Sequence, residues 1–334
     1  MSYVGAVAAP HSHLQLFTRP AENEDYRAKV ARGRKALSVL REQVEKSGAD
    51  TMLIIHDDHF VNFDFRCYPP FCLLIGKEAT GSGVVDPAEI EKITGAVYKK
   101  YHGKLSYQSA PAGMPQHVSD WEGGEKPYSY RVDEELSARM LKELIAVGFD
   151  MPFTTNGTMD GELVLTQNFL NPKADKSILL LFTNGYVPPI PHPRRCYELG
   201  RAIRKIIDGS ERKVLVQAAG GMSHFPGTPL YGEVDEEFDR HVLDLLARGE
   251  AKTLANISPE ELLRKGNGEL VNWIIAAGII GDEPCRIGNG AADNIDARLL
   301  IAVDGRKFGQ NARAIEQRHA ATRHDALFHG CARR

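Results

Sequence analysis

Four residues in this sequence have the types and settings that chemistry needs: His11, His59, His224 and Glu269. Each falls where an apolar run ends or a helical pattern begins. His224 closes the stretch Lys213 to Pro229, in which Val214 to Val216 reads as a buried strand and Ala218 to Gly221 permits a sharp turn. His11 follows the short apolar run Val4 to Ala9, and His59 follows Thr51 to Ile55 within the polar cluster His56-Asp57-Asp58-His59. Glu269 opens a helical pattern that runs to Ala277. Two neutral imidazoles and one carboxylate are the facial set that holds non-haem Fe(II) and leaves positions open for substrate and dioxygen. Spacing alone does not select this trio over other polar residues, and in isolation His224 reads equally well as a loop histidine capping backbone. The chain has no HExxH pattern to favour a zinc hydrolase.

The elements that must position these residues alternate between strand and helix. Glu22 to Lys46 places Val30, Leu37, Leu40 and Val44 at helical spacing. Further strands are expected at Phe71 to Ile75, Ser177 to Phe182 and Arg298 to Val303. Further helices are expected at Pro87 to Tyr101, Val132 to Val147, Arg194 to Ile207, Glu233 to Leu246 and Pro259 to Arg264. This alternation predicts an α/β fold with a mostly parallel central sheet flanked by helices, and a site at the C-terminal edge of the strands. The expected organisation is one catalytic domain over 1–304 and a peripheral basic tail over 305–334. Leu105 to Arg131, with three prolines, Trp121 and three tyrosines, has little periodicity and is expected to be an inserted loop, a candidate lid.

Composition sets outer bounds. At 334 residues, 43% hydrophobic and 25% charged, the chain can bury a sizeable core. A net charge of −3 gives no electrostatic case for nucleic acid or anionic membranes, and no apolar run is long enough to span a bilayer. Five scattered cysteines without a CxxC argue against a disulfide framework or zinc ribbon and for a reducing, cytoplasmic setting. A homo-oligomer, dimer or larger, is the expected assembly.

Several segments, taken in order, carry a resemblance. PHSHL at Pro10 to Leu14 resembles the SHSPL segment of the class III extradiol ring-cleavage dioxygenases, the family of the protocatechuate and dihydroxyphenylpropionate ring-opening enzymes. HDDHFVNFDF from His56, followed by YPPFCLLIG, is similar to that family's second ligand segment. NGYVPPIPHPRRCYELG from Asn184 resembles its proline-rich stretch, AAGGMSH its GGMSH motif, and GNGELVNWIIAAG from Gly266 its glutamate segment. The resemblance implies Fe(II) held by His11, His59 and Glu269, with His224 as acid/base. It implies extradiol (meta) cleavage of a catecholic aromatic acid by O2, both oxygen atoms being incorporated, in the catabolism of aromatic or lignin-derived compounds. An imidazole, titrating near ~6.5, can take and return a proton at neutral pH.

One departure stands out. The family's DHG segment carries a histidine, whereas the matching place here reads Met159-Asp160-Gly161-Glu162. Asp160 or Glu162 takes that role, or His13 or His192 reaches in, or the substrate dispenses with it. With the long insertion, this suggests a bulky, biaryl or methoxylated catechol. Asp58, with Asp57, is a candidate to orient His59 or His11, and a turn pair is the alternative. Arg194 and Arg195 are candidates for a substrate carboxylate, or a solvated helix start. Trp121 is a candidate pocket wall, and His56 reads as structural. A metal-dependent hydrolase on the same scaffold and a non-catalytic partner subunit are the competing readings.

Overall fold

The computed structural model describes residues 2–9, 24–82, 127–225, 228, 230, 233–287 and 301–303. Strand β1 spans Tyr3–Ala9, β2 Thr51–Asp57, β8 Ser177–Thr183 and β9 Val214–Ala219, and every residue of the four is buried. Their near-continuous apolar character suits a parallel sheet covered on both faces. They lie side by side in the order β1-β9-β2-β8, all parallel. Beyond β8 come β3 (Phe71–Leu74), antiparallel to it, and the two-residue β6 (Phe153–Thr154). Beyond β1 lie β11 (Ile301–Val303) and β10 (Arg286–Ile287), joined by antiparallel pairing. The mostly parallel α/β architecture expected from the sequence is therefore present.

Alternation along each strand divides the core in two. Leu53, Ile55, Leu179 and Leu181 face a layer containing α2 (Glu134–Ala146), α4 (Pro193–Asp208), α5 (Glu236–Ala247) and α7 (Leu270–Ile280). Met52, Ile54, Ile178 and Leu180 face the other side, where α1 (Glu24–Lys46) contributes Leu37, Leu40 and Val44 and α3 (Gly161–Leu170) contributes Leu163 and Val164. Helix α6 (Pro259–Arg264) is a short link capped by Ser258.

One sequence expectation changes. The Leu105 to Arg131 segment is not irregular to its end. Pro127–Arg131 is strand β5, paired antiparallel with β4 (Glu78–Ser82), which also pairs with β7 (Gly157–Met159) in a second, three-stranded sheet. Ser129 is exposed and Tyr130 is buried in the core, so Tyr130 serves packing. Trp121, the rest of the expected loop, the helix expected at Pro87 to Tyr101 and the C-terminal tail lie outside the described residues. The helix expected from Glu269 is α7, and it is buried on all sides. Its close approach to α4 needs Gly200 and Gly278, because a Cβ on either would lie within 2.2 Å of the facing helix's backbone.

What holds α7 over the strand ends is a buried polar knot. Asn272 Nδ2 donates to Asp57 Oδ2 (2.5 Å) at the end of β2 and to the Ala219 carbonyl (2.9 Å) at the end of β9. Thr183 Oγ1, at the end of β8, lies 2.5 Å from Asn272 Oδ1 and 3.0 Å from Asp57 Oδ1, and the Gly185 amide donates to the latter at 2.7 Å. One side chain thus ties the helix to three strands. Asn272→Ala should cost on the order of 3 kcal/mol, since it leaves a buried carboxylate and carbonyl short of a donor. Denaturant unfolding of the variant should show this loss; a change within ordinary surface-mutation scatter would refute the role.

Candidate metal centre

The knot sets Glu269 one helical turn before Asn272, at the start of α7 over the C-terminal ends of β2, β8 and β9. Glu269 is fully buried and makes no side-chain capping bond to its own helix. Its Oε2 instead accepts from the Gly221 amide and its Oε1 from the Tyr186 hydroxyl. This close fit requires glycine after β9. Gly220 has φ +123°, and a Cβ there would sit 3.1 Å from the Glu269 Cβ.

His59 arrives from the loop after β2. That loop is held by Asp58, whose carboxylate accepts from the Asn62 amide (3.0 Å), the Asn62 side chain (2.6 Å) and the Phe63 amide (2.9 Å). Asp58 therefore shapes the turn rather than orienting an imidazole. The orienting carboxylate is Asp160, the N-cap of α3, whose Oδ1 accepts from the Leu163 amide. Asp160 Oδ2 lies 2.5 Å from His59 Nδ1 and 2.7 Å from His56 Nε2. Burial opposes ionisation of Asp160, but the two imidazoles outweigh it and hold its carboxyl well below the usual range. An ionised Asp160 fixes the Nδ1–H tautomer and directs His59 Nε2 to the far side, where it lies 2.8 Å from the Tyr186 hydroxyl.

His224 approaches from the loop after β9. Its Nδ1 donates to the Met222 carbonyl (2.8 Å), and its Nε2 lies 3.2 Å from Glu269 Oε1. Asp239 on α5 clamps this loop, accepting from Ser223 Oγ (2.8 Å) and from Asn267 Nδ2 (2.9 Å), two residues before Glu269. The His224 amide also donates to the Gly266 carbonyl at 3.1 Å. His59 and His224 are each followed by a phenylalanine in the left-handed region, Phe60 at φ 61° and Phe225 at φ 51°. Such strain, about 1–3 kcal/mol per residue, persists where the surroundings dictate the backbone.

The structure thus brings His59, His224, Glu269 and Asp160 together. His11 and His13 lie outside the described residues; the described end of β1, Ala9, is in register with Ala219. His192 is an exposed N-cap whose Nδ1 accepts from the Arg194 amide, so it does not replace the absent DHG histidine. Arg194 is exposed at the helix start, and Arg195 donates to the Gly148 carbonyl and stacks 3.8 Å from the Phe149 ring centroid, a packing role. His56, read as structural, belongs to the same cluster. The sequence reading passed over Tyr186 and Asn272. Tyr186 could have been found by the criterion that flagged the others, since it follows the apolar run of β8.

Two sets of donor atoms are candidates to hold a metal. His56, His59 and Asp160 offer ligand atoms within 4.8 Å of one another. In that set, however, Asp160 Oδ2 is already shared by two imidazoles, an arrangement that orients rather than coordinates. His59 Nε2 and Glu269 offer the second set, with nitrogen and oxygen donors suited to a first-row divalent ion. Burial, and next the Glu269 charge, push the Asp57 carboxyl beside this pair up to about 7. Asp160→Asn keeps the cap oxygen but loses the charge that fixes His59. It should weaken metal affinity roughly 10–100-fold. Chelator competition with Co(II) checks this, and unchanged affinity would return Asp160 to a purely structural part.

Comparison with known proteins places this geometry. The family described as the catalytic LigB subunit of aromatic ring-opening dioxygenase matches residues 112–298. A 2,3-dihydroxyphenylpropionate/2,3-dihydroxicinnamic acid 1,2-dioxygenase of Photorhabdus laumondii is 22% identical over 245 residues, 72% of this chain. This chain spans 62% of that protein's length. A like-named enzyme of Cupriavidus pinatubonensis is 23% identical over 81% of this chain and 87% of its own. A gallate dioxygenase of Pseudomonas putida is 31% identical over 43% of this chain and 45% of its own. The family match covers more than half of the chain and takes in Asp160, Tyr186, His224 and Glu269, so this protein belongs to the family of the catalytic LigB subunit of aromatic ring-opening dioxygenases.

Proposed function

We propose that this chain is a non-haem Fe(II) extradiol dioxygenase that opens the ring of a catecholic aromatic acid with O2. The observation that carries the reading is the meeting of His59 Nε2, His224 Nε2 and the buried Glu269 carboxylate at the strand ends of a chain in this family. His59 and Glu269 would hold the ion, with His11 as the third ligand. When bound, the iron would supply the Lewis-acid and redox centre through which a catechol and dioxygen react.

The chain's own residues would do the rest. Glu269 is fixed by the Gly221 amide, so its position costs little reorganisation. His224, with its Nδ1 proton committed to Met222, presents Nε2 as the exchanging atom. Its side chain is 22% exposed while Glu269 is fully buried, so it borders the open side from which a substrate would enter. Its Nε2 lies 3.2 Å from Glu269 Oε1, beside the group that would hold the ion. That nitrogen would take a proton from a catechol hydroxyl and return it when the ring opens.

Oxygen uptake after anaerobic reconstitution with Fe(II) tests the reading, using protocatechuate, gallate, methylgallate and a dihydroxybiphenyl acid as substrates. Uptake should match the catechol consumed one to one, and esters and amides should not turn over. Glu269→Ala should lose the iron while folding. His224→Phe should keep the iron and lose turnover by roughly 10²–10⁴-fold. Stoichiometric iron in the first variant, or near-normal turnover in the second, would reject the assigned roles.

A further inference from the structure

Asp160 reaches His59 from a distant part of the chain, so the two need a contact that keeps them in register. Asn62 lies three residues after His59, and Thr158 lies two residues before Asp160. These two residues are joined twice. The Thr158 amide donates to Asn62 Oδ1 at 2.8 Å, and Asn62 Nδ2 donates to the Thr158 carbonyl at 2.8 Å. A side-chain amide thus pairs both backbone groups of one strand residue, as a neighbouring strand would. The position is open to it because β7 is the outer strand of the second sheet, with β4 on its other side. Asn62 Nδ2 also donates to Asp58 Oδ1 at 2.6 Å, so three bonds fix the orientation of this amide.

The bonds close a ring. From His59 the backbone runs to Asn62, crosses by hydrogen bonds to Thr158 and runs on to Asp160. It returns to His59 through the 2.5 Å contact of Asp160 Oδ2 with Nδ1. The opposite side of β7 has no slack, since a Cβ on Gly81 of β4 would lie 2.5 Å from the Met159 carbonyl. Asp160 Oδ1 is committed to the Leu163 amide at 2.7 Å. The reach of Oδ2 toward His59 is therefore set by where β7 docks, and Asn62 is its contact on the His59 side. Contacts that share one ring support each other, so loss of one loosens the next.

Resting on the reading of His59 as a metal ligand, we propose that Asn62 is a positioning residue of the metal centre. By pairing with Thr158 it holds the Asp160 carboxylate on His59 Nδ1 and so keeps Nε2 directed at the ion. Its effect passes through Asp160, unlike that of a residue that only stiffens the turn after β2.

Co(II) bound to the full chain reads this arrangement. Chelator competition gives the affinity, and a histidine bound through Nε2 gives a hyperfine-shifted proton NMR signal from its Nδ1–H. Asn62→Ala should lower the affinity by up to roughly 10-fold, the lower end of the loss for an orienting partner. The Nδ1–H signal that Asp160→Asn alters should move in this variant too, and exchange faster with water. In a double-variant cycle, Asn62→Ala should cost less than about twofold once Asp160→Asn is present, because groups in one network are not additive. Equal losses in both backgrounds, or an unmoved signal, overturn the proposal and leave Asn62 a turn residue held by Asp58. Asn62→Asp keeps the acceptor for the Thr158 amide but cannot donate, and it is read the same way if the alanine variant does not fold. A native chain that binds no Co(II) overturns instead the metal-centre reading on which the proposal rests.

Discussion

The structure depends on the burial of one carboxylate, Asp57, and on the amide that satisfies it. Asp57 ends the central strand β2 at full burial, beside the Glu269 carboxylate, which by itself would be costly. Asn272, Thr183 and the Gly185 amide answer that cost, and each comes from a different element. The same bonds that solvate Asp57 therefore determine where α7 begins, where the loop after β8 turns and how near Glu269 stands to His59.

From that knot outward, the site is a series of polar groups each placed by another. Asp160 caps a helix with one oxygen and orients His59 with the other. Tyr186 passes the contact on to Glu269, which takes the Gly221 amide and faces His224. Asp239 closes the circuit by joining the His224 loop to the residues before Glu269. Small residues permit this density of backbone: Gly185, Gly220 and Gly268 sit where any side chain would push a wall of the site aside. Left-handed Phe60 and Phe225 show that the histidine loops are held against their local preference.

Much of this was legible before any coordinates. The apolar runs of β1, β2, β8 and β9 and the amphipathic α1, α4 and α5 declare a covered parallel sheet, because burial on both faces demands uninterrupted apolar strands. His59 and His224 stood out because polar residues at the ends of such strands face the place where a ligand binds, and Glu269 because it opens a helix. The second sheet was not legible, since Glu78–Ser82 and Gly157–Met159 are short and rich in small or polar residues, with no alternation strong enough to mark them.

What only the tertiary structure decided is which polar group serves which. The sequence offers Asp57, Asp58 and Asp160 as equivalent carboxylates. Folding makes the first the anchor of α7, the second the brace of a turn, and the third, about a hundred residues away, the partner of His59. The sequence likewise offers His192, Arg194 and Arg195 as candidates; folding spends them on a helix cap and a surface. Periodicity reports the burial of a face, which is local and repetitive. The direction of a single hydrogen bond across the ends of four strands is neither, so it exists only once the sheet is assembled.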